Sequence, residues 1–174
     1  MSSDFELVQI VDRALAEAAR RSGPWLVCRP GCTQCCHGPF EITQLDAHRL
    51  RKGLAKLERQ DPQRAGAVRG RAHHAAQLTN FGDDDPCPAL DPNTGTCDLY
   101  ASRPITCRCF GPPVHCDSGA VGVCELCFDG ASDEEIAACL VDFDPEGLES
   151  DLIDALERAT GLRGMTTVAL SLAS

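Results

Sequence analysis

Aromatic residues are scarce in this chain: one Trp, one Tyr and six Phe, 5% of 174 positions, with only two Met beside them. A core must therefore rest on Leu, Val, Ala and Ile together with the six Phe. Positive charge is also short. Sixteen Lys and Arg stand against 26 Asp and Glu, a formal net charge of −10, so a nucleic-acid partner, whose phosphates call for Lys and Arg, is not expected. No apolar run approaches the roughly 20 residues that cross a bilayer, and no membrane association is expected. Residues Met1 to Glu6 lack the basic and then apolar order of a signal peptide. What the chain has in abundance is cysteine, twelve in all. Leaderless and thiol-rich, it is expected to be cytoplasmic, where clustered thiols bind metal more often than they form disulfides.

The densest stretch runs from Cys28 to His37. Four thiols, Cys28, Cys32, Cys35 and Cys36, fall within nine residues, with Pro30 and Gly31 between the first two. Pro and Gly break both helix and strand, so a tight turn that points several sulfurs at one centre is expected. Short Cys-to-Cys steps suit metal thiolate sites, whose loops fold backbone N–H groups toward the sulfur.

Around this stretch the chain predicts helices. Phe5 to Arg21 is amphipathic, with Leu7, Ile10, Val11, Ala14, Leu15 and Ala18 at helical spacing. Trp25 is expected as a lid on the core. After a short extended piece at Phe40-Glu41-Ile42, Thr43 caps a helix to about Gln60 that buries Leu45, Leu50, Leu54 and Leu57. Asp61-Pro62 opens another helix, to about Leu78, with His73 and His74 facing water. Asn80 to Asp85 is a polar breaker. Two extended pieces then flank Pro92-Asn93-Thr94-Gly95, hairpin chemistry that would bring Cys87 and Cys97 together. Ser102-Arg103-Pro104 starts a short helical turn with Ser102 as its cap, and Phe110 to Val123 is Gly/Pro-rich loop. Ser132 to Glu135 is a capping box for a helix holding Cys139. Asp144-Pro145 opens a helix that buries Leu148, Leu152, Ile153 and Leu156 and stops at Gly161. Met165 to Ser174 is an apolar tail, a strand or a frayed end. The fold expected is a single, mainly α domain with a small β-hairpin and irregular loops around a cysteine-ligated metal centre, its metal-binding core spanning about 25–130. Gln44 to Thr79 holds eight Lys/Arg against three acids, and Asp117 to Arg158 thirteen acids against one base. Two solvated helix faces of opposite sign, partly neutralising each other, account for that contrast.

Crowded thiolates repel one another, and each resists deprotonation when buried. A cation reverses that sign and supplies folding energy, on the order of 10 kcal/mol for structural zinc in small peptides. Sulfurs distant along the chain are therefore expected to converge around a positive ion.

The run Cys28-x-x-x-Cys32-x-x-Cys35-Cys36, followed by Cys87-Pro88-x-Leu90, Cys97-x-Leu99-Tyr100, Arg103-Pro104 and Cys107-Arg108, resembles the YkgJ-type cysteine-cluster family, a zinc- or iron-chelating domain. Cys124-Glu125-Leu126-Cys127-Phe128 is similar to its closing segment. The resemblance covers about Cys28 to Phe128 and implies eight metal-site cysteines: Cys28, Cys32, Cys35, Cys36, Cys87, Cys97, Cys107 and Cys124. The choice between Cys124 and Cys127 stays open. Cys109, Cys116, Cys127 and Cys139 lie outside the family pattern: Cys139 is expected as a small buried hydrophobe, and a spare ligand is the minority reading for Cys109 and for Cys116, the latter beside His115.

Eight thiols suit two zinc sites of four each, or one iron–sulfur cluster with structural thiols beside it. Side chains of adjacent residues diverge, so the Cys35-Cys36 pair suits a polynuclear centre or two neighbouring sites, and an iron–sulfur cluster is expected ahead of zinc. Arg29, Arg103 and Arg108 flank the thiols and offset the charge of a sulfur cage. Two functions follow. One is a redox-active iron–sulfur protein or an accessory to an oxidoreductase or methyl-transfer reaction, the latter because larger relatives linked to flagellin lysine methylation carry a similar domain. The other is a zinc-stapled interaction module without catalysis, with a protein as its partner. The sequence offers no base–nucleophile pair, and His37 reads best as a turn histidine.

Overall fold

The computed structural model describes residues 2–79, 81–115 and 120–174. Asn80 and Cys116, and with Cys116 the minority reading of a spare ligand beside His115, lie outside the described residues. The chain divides into two compact units, one made of residues 1–29 and 105–152, the other of 30–104 and 153–174. The architecture is mainly helical, with short antiparallel strand pairs.

In the first unit, helix α1 (Ser2–Ser22) buries Leu7, Val11 and Ala18, three positions on one stripe. It packs against α4 (Ile105–Arg108) and α5 (Asp133–Cys139). Helix α5 opens on the expected capping box: Ser132 accepts from the Glu135 N–H, and Glu135 reaches back to the Ser132 N–H. Cys127, Phe128 and Cys139 form a small buried cluster, with Trp25 and Leu26 against it. Trp25 stacks on Phe128 with ring centroids 6.4 Å apart, which fits its expected place as a lid. Phe128 sits at φ +61, costly for a bulky residue. The stack and the bond from its N–H to the Trp25 carbonyl (3.0 Å) hold it there. Strands β4 (Val114–His115) and β5 (Val121–Gly122) pair across the loop region.

In the second unit, strand β1 (Glu41–Thr43) runs into α2 (Gln44–Gln60), where Thr43 accepts from the Asp46 N–H as its cap. Helix α3 (Pro62–Gln77) begins on Asp61, whose carboxylate accepts from the Arg64 N–H. Both helices match expectation, and His73 and His74 are exposed. Strands β2 (Leu90–Asp91) and β3 (Thr96–Cys97) form the expected hairpin, with Leu90 opposite Cys97.

The C-terminal tail turns out more ordered than a strand or a frayed end. Strand β6 (Met165–Thr167) pairs antiparallel with β1, and helix α7 (Val168–Ala173) follows, capped by Thr167. Val168, Ala169 and Leu172 are buried. Six residues are too few to hold a helix by propensity; packing on α2 and α3 holds this one. The core of the unit is Ile42, Leu50, Leu54, Val68, Leu99 and Leu172 with their neighbours, and Cys87 and Cys97 pack against it.

Two expectations need correction. The helix placed after Asp144-Pro145 is α6 (Leu148–Thr160) and starts later, because Gly147 adopts φ +71 and breaks the first turn. Asp144 instead accepts from the N–H groups of Leu148 and Glu149, at 2.9 and 2.8 Å. Its Leu148, Leu152, Ile153 and Leu156 are half-buried, none fully. Ser102 does not cap a helix. It ends a 3-10 turn (Tyr100–Ser102), and α4 starts beyond Pro104.

Candidate metal centre

The first cysteine loop is built by turns. Gly31 takes φ +86, open to glycine at no steric cost. Gln34 to Cys36 form a 3-10 turn closed by the bond from the Cys36 N–H to the Thr33 carbonyl, 2.8 Å. The same carbonyl accepts from His37 Nδ1 at 2.9 Å, so Nδ1 carries the proton and His37 is a turn histidine.

Three backbone contacts sew this loop to the segment before the hairpin. Cys87 donates its N–H to the Cys36 carbonyl (2.8 Å), Gly38 donates to the Asp85 carbonyl (2.9 Å), and His37 bridges Pro86. At the hairpin tip Gly95 lies against Gly31 and Thr33, close enough that a Cβ there would sit 3.7 Å from the Gly31 Cα. Four expected site thiols of this unit, Cys35, Cys36, Cys87 and Cys97, thus come from segments joined by these contacts. Cys32, half-buried, lies in the same loop.

The thiols perturb one another. Cys35 and Cys36 hydrogen-bond through their side chains, and that contact, more than burial, pushes the Cys35 thiol far above its ordinary range. Divergence of adjacent side chains, expected from the sequence, therefore does not hold in this 3-10 turn. Burial pushes Cys87 up to about 11, with Cys97 adding to it, and burial raises Cys97 as well. Three guanidinium groups act against these shifts: Arg103 on Cys35 and Cys97, Arg71 on Cys87, Arg64 on Cys97. Arg103 also lies over the Tyr100 ring, 3.6 Å from its centroid.

The other unit holds Cys28, Cys107 and Cys124. Cys28 is exposed, and its sulfur lies where a Cβ on Gly111 would come within 3.2 Å. Cys107 is half-buried on α4. Cys124 and Cys127 face each other across a turn closed by the bond from the Cys127 N–H to the Cys124 carbonyl, 2.9 Å. Burial first, and Cys127 next, raise the Cys124 thiol. Cys127 and Cys139 are buried in the core cluster, Cys139 as expected. Cys109 is also buried. Arg108 binds Asp12 through Nη1, at 2.7 and 3.0 Å, and Arg29 is exposed.

None of the eleven described cysteines is in a disulfide. Among the described residues, no three His, Cys, Asp or Glu side chains are assembled as a ready cage for an ion; the perturbed thiols stand in pairs. The donor chemistry fits a thiophilic cation. Buried sulfurs with raised pKa values are costly as thiolates alone, and a dication at bonding distance removes that cost.

Sequence reasoning missed one part of the site. Asp98, next to Cys97, takes an ion pair from Arg64 and another from Arg71, both on α3. Arg71 lies 27 positions from Asp98, beyond any local spacing rule, and only the charge of Asp98 beside a thiol hinted at it.

A model of the CxxCxxCC family, described as a "Putative zinc- or iron-chelating domain", matches residues 27–127. No curated protein and no solved structure matches the chain.

Proposed function

The chain belongs to this zinc- or iron-chelating family, and from that premise we propose that its metal ligands are Cys32, Cys35, Cys36, Cys87 and Cys97 in one unit and Cys28, Cys107 and Cys124 in the other. The observation that carries the proposal is the joining of the Cys35-Cys36 turn to Cys87 by the Cys87-to-Cys36 backbone bond, with Cys97 across the hairpin. Cys124 is preferred to Cys127 because Cys127 is buried in an apolar cluster with Phe128 and Cys139. The metal we favour is an iron–sulfur cluster. The eight thiols outnumber what one four-coordinate ion takes, and Arg103, which acts on both Cys35 and Cys97, offsets the negative charge a cluster carries. Bound, it would supply electron transfer, either in its own right or as an accessory to an oxidoreductase or methyl-transfer reaction on a protein partner in the cytoplasm.

A second reading is favoured by the seating of Cys87 and Cys97 against the hydrophobic core: a zinc-stapled interaction module, in which four-coordinate closed sites hold the fold and carry no chemistry.

Metal analysis and absorption spectra on protein isolated anaerobically decide the matter. Iron and sulfide with a thiolate-to-iron absorption shoulder support the cluster. Colourless protein with stoichiometric zinc supports the module. Protein that takes up neither metal when reduced overturns both.

A further inference from the structure

We infer that Arg71 is a positioning residue for this centre: its guanidinium spans from the backbone after Cys87 to the side chain after Cys97 and sets the separation of the two thiols. The inference rests on the metal-binding function proposed above. From α3, Arg71 donates Nε–H to the Pro88 carbonyl at 2.9 Å and Nη2–H to Asp98 Oδ2 at 2.5 Å. Pro88 and Asp98 each directly follow a proposed ligand.

Asp98 is no surface partner. Its side chain is 2% exposed, and its other oxygen accepts from Arg64 Nε. A carboxylate so buried is tolerated only when its oxygens are paired. The hairpin needs an outside brace, because β2 and β3 are two residues each, too short to hold a register alone. Arg71 provides it. A planar guanidinium donates in two fixed directions at once, whereas an ammonium on the same stem acts as a point charge and does not hold both acceptors in that geometry. Groups that hold ligands in place without touching the metal typically contribute about 10–100-fold to its affinity.

The test uses the full reduced chain, stripped of metal under anaerobic conditions. Co2+ is titrated while the thiolate-to-cobalt band is followed, and Zn2+ then competes for the site. Cross-linking of Cys87 to Cys97 by a short thiol-bridging reagent reports their separation without metal. Circular dichroism and a melting curve check the fold. Arg71→Gln is expected to keep the helical signal, bind both ions about 10–100-fold more weakly and cross-link more slowly. Arg71→Lys is expected to recover only part of each, and Asp98→Asn to weaken binding in the same direction. If Arg71→Gln fails to fold, Arg71→Lys and Asp98→Asn decide on the same two readouts.

A brace that served stability alone would lower the melting midpoint and leave both readouts of the folded protein at wild-type values. That result, or full rescue by lysine, overturns the inference while the metal site stands. Wild-type protein that binds neither ion overturns the metal site and the inference with it.

Discussion

At the scale of single residues, burial sets the chemistry of the thiols. Cys87 is pushed up to about 11 from an ordinary 9.0, chiefly by burial. A folded-state pKa above the unfolded value adds stability that is complete below the unfolded pKa and is lost as pH rises through the folded one. Metal-free protein should therefore lose stability between pH 9.0 and about 11, and Cys87→Ser should flatten that part of the curve; denaturant melts across the range check it. Gly53 is a second sensitive residue. It faces the 3-10 turn at Tyr100–Ser102, and a Cβ there would come 2.5 Å from the Ser102 Cβ. Alanine is ordinarily the better helix former by about 1 kcal/mol, but overpacking costs about 1–3 kcal/mol. We expect Gly53→Ala to destabilise the fold, with a lower urea midpoint as the measure.

At the scale of elements, caps and hydrophobic stripes act locally, and most of the helices follow from them. Thr43, Asp61 and Ser132 each accept the N–H three positions on, as such residues do at helix starts. Helix α7 obeys a different rule. Its six residues fold because Val168, Ala169 and Leu172 fill the space between α2 and α3. Leu172 is fully buried, and Leu172→Ala should cost about 2–5 kcal/mol, measured by denaturant unfolding. Leu170→Ala, on the exposed side of the same helix, should change stability by no more than about 0.5 kcal/mol.

At the scale of the molecule, charge and metal matter most. The cations between Gln44 and Thr79 were expected to form a solvated face set against the acidic C-terminal third. Four of them, Arg49, Arg64, Arg69 and Arg71, pair instead with Asp46, Asp98 and Glu58 of their own unit. A ligand that binds only the folded chain stabilises it by mass action, about 2.7 kcal/mol at a hundred times the dissociation constant. Chelation of the loaded protein should lower its thermal midpoint, and re-addition of the native metal should restore it. A midpoint indifferent to exhaustive chelation would remove metal as a source of stability here.

The chain by itself determined the helix starts, the hairpin at Pro92 to Gly95 and the crowding of thiols, because caps, turns and short spacings depend on neighbours a few bonds away. It also carried the family, since the order of the cysteine motifs is a property of the sequence. Only the tertiary structure decided that Cys35 and Cys36 face each other, that α7 closes a core, and that Arg71 reaches both Pro88 and Asp98. Each of those depends on a turn geometry or on partners tens of residues away. Contacts at that range are selected by packing and buried charge together, and no local pattern encodes them.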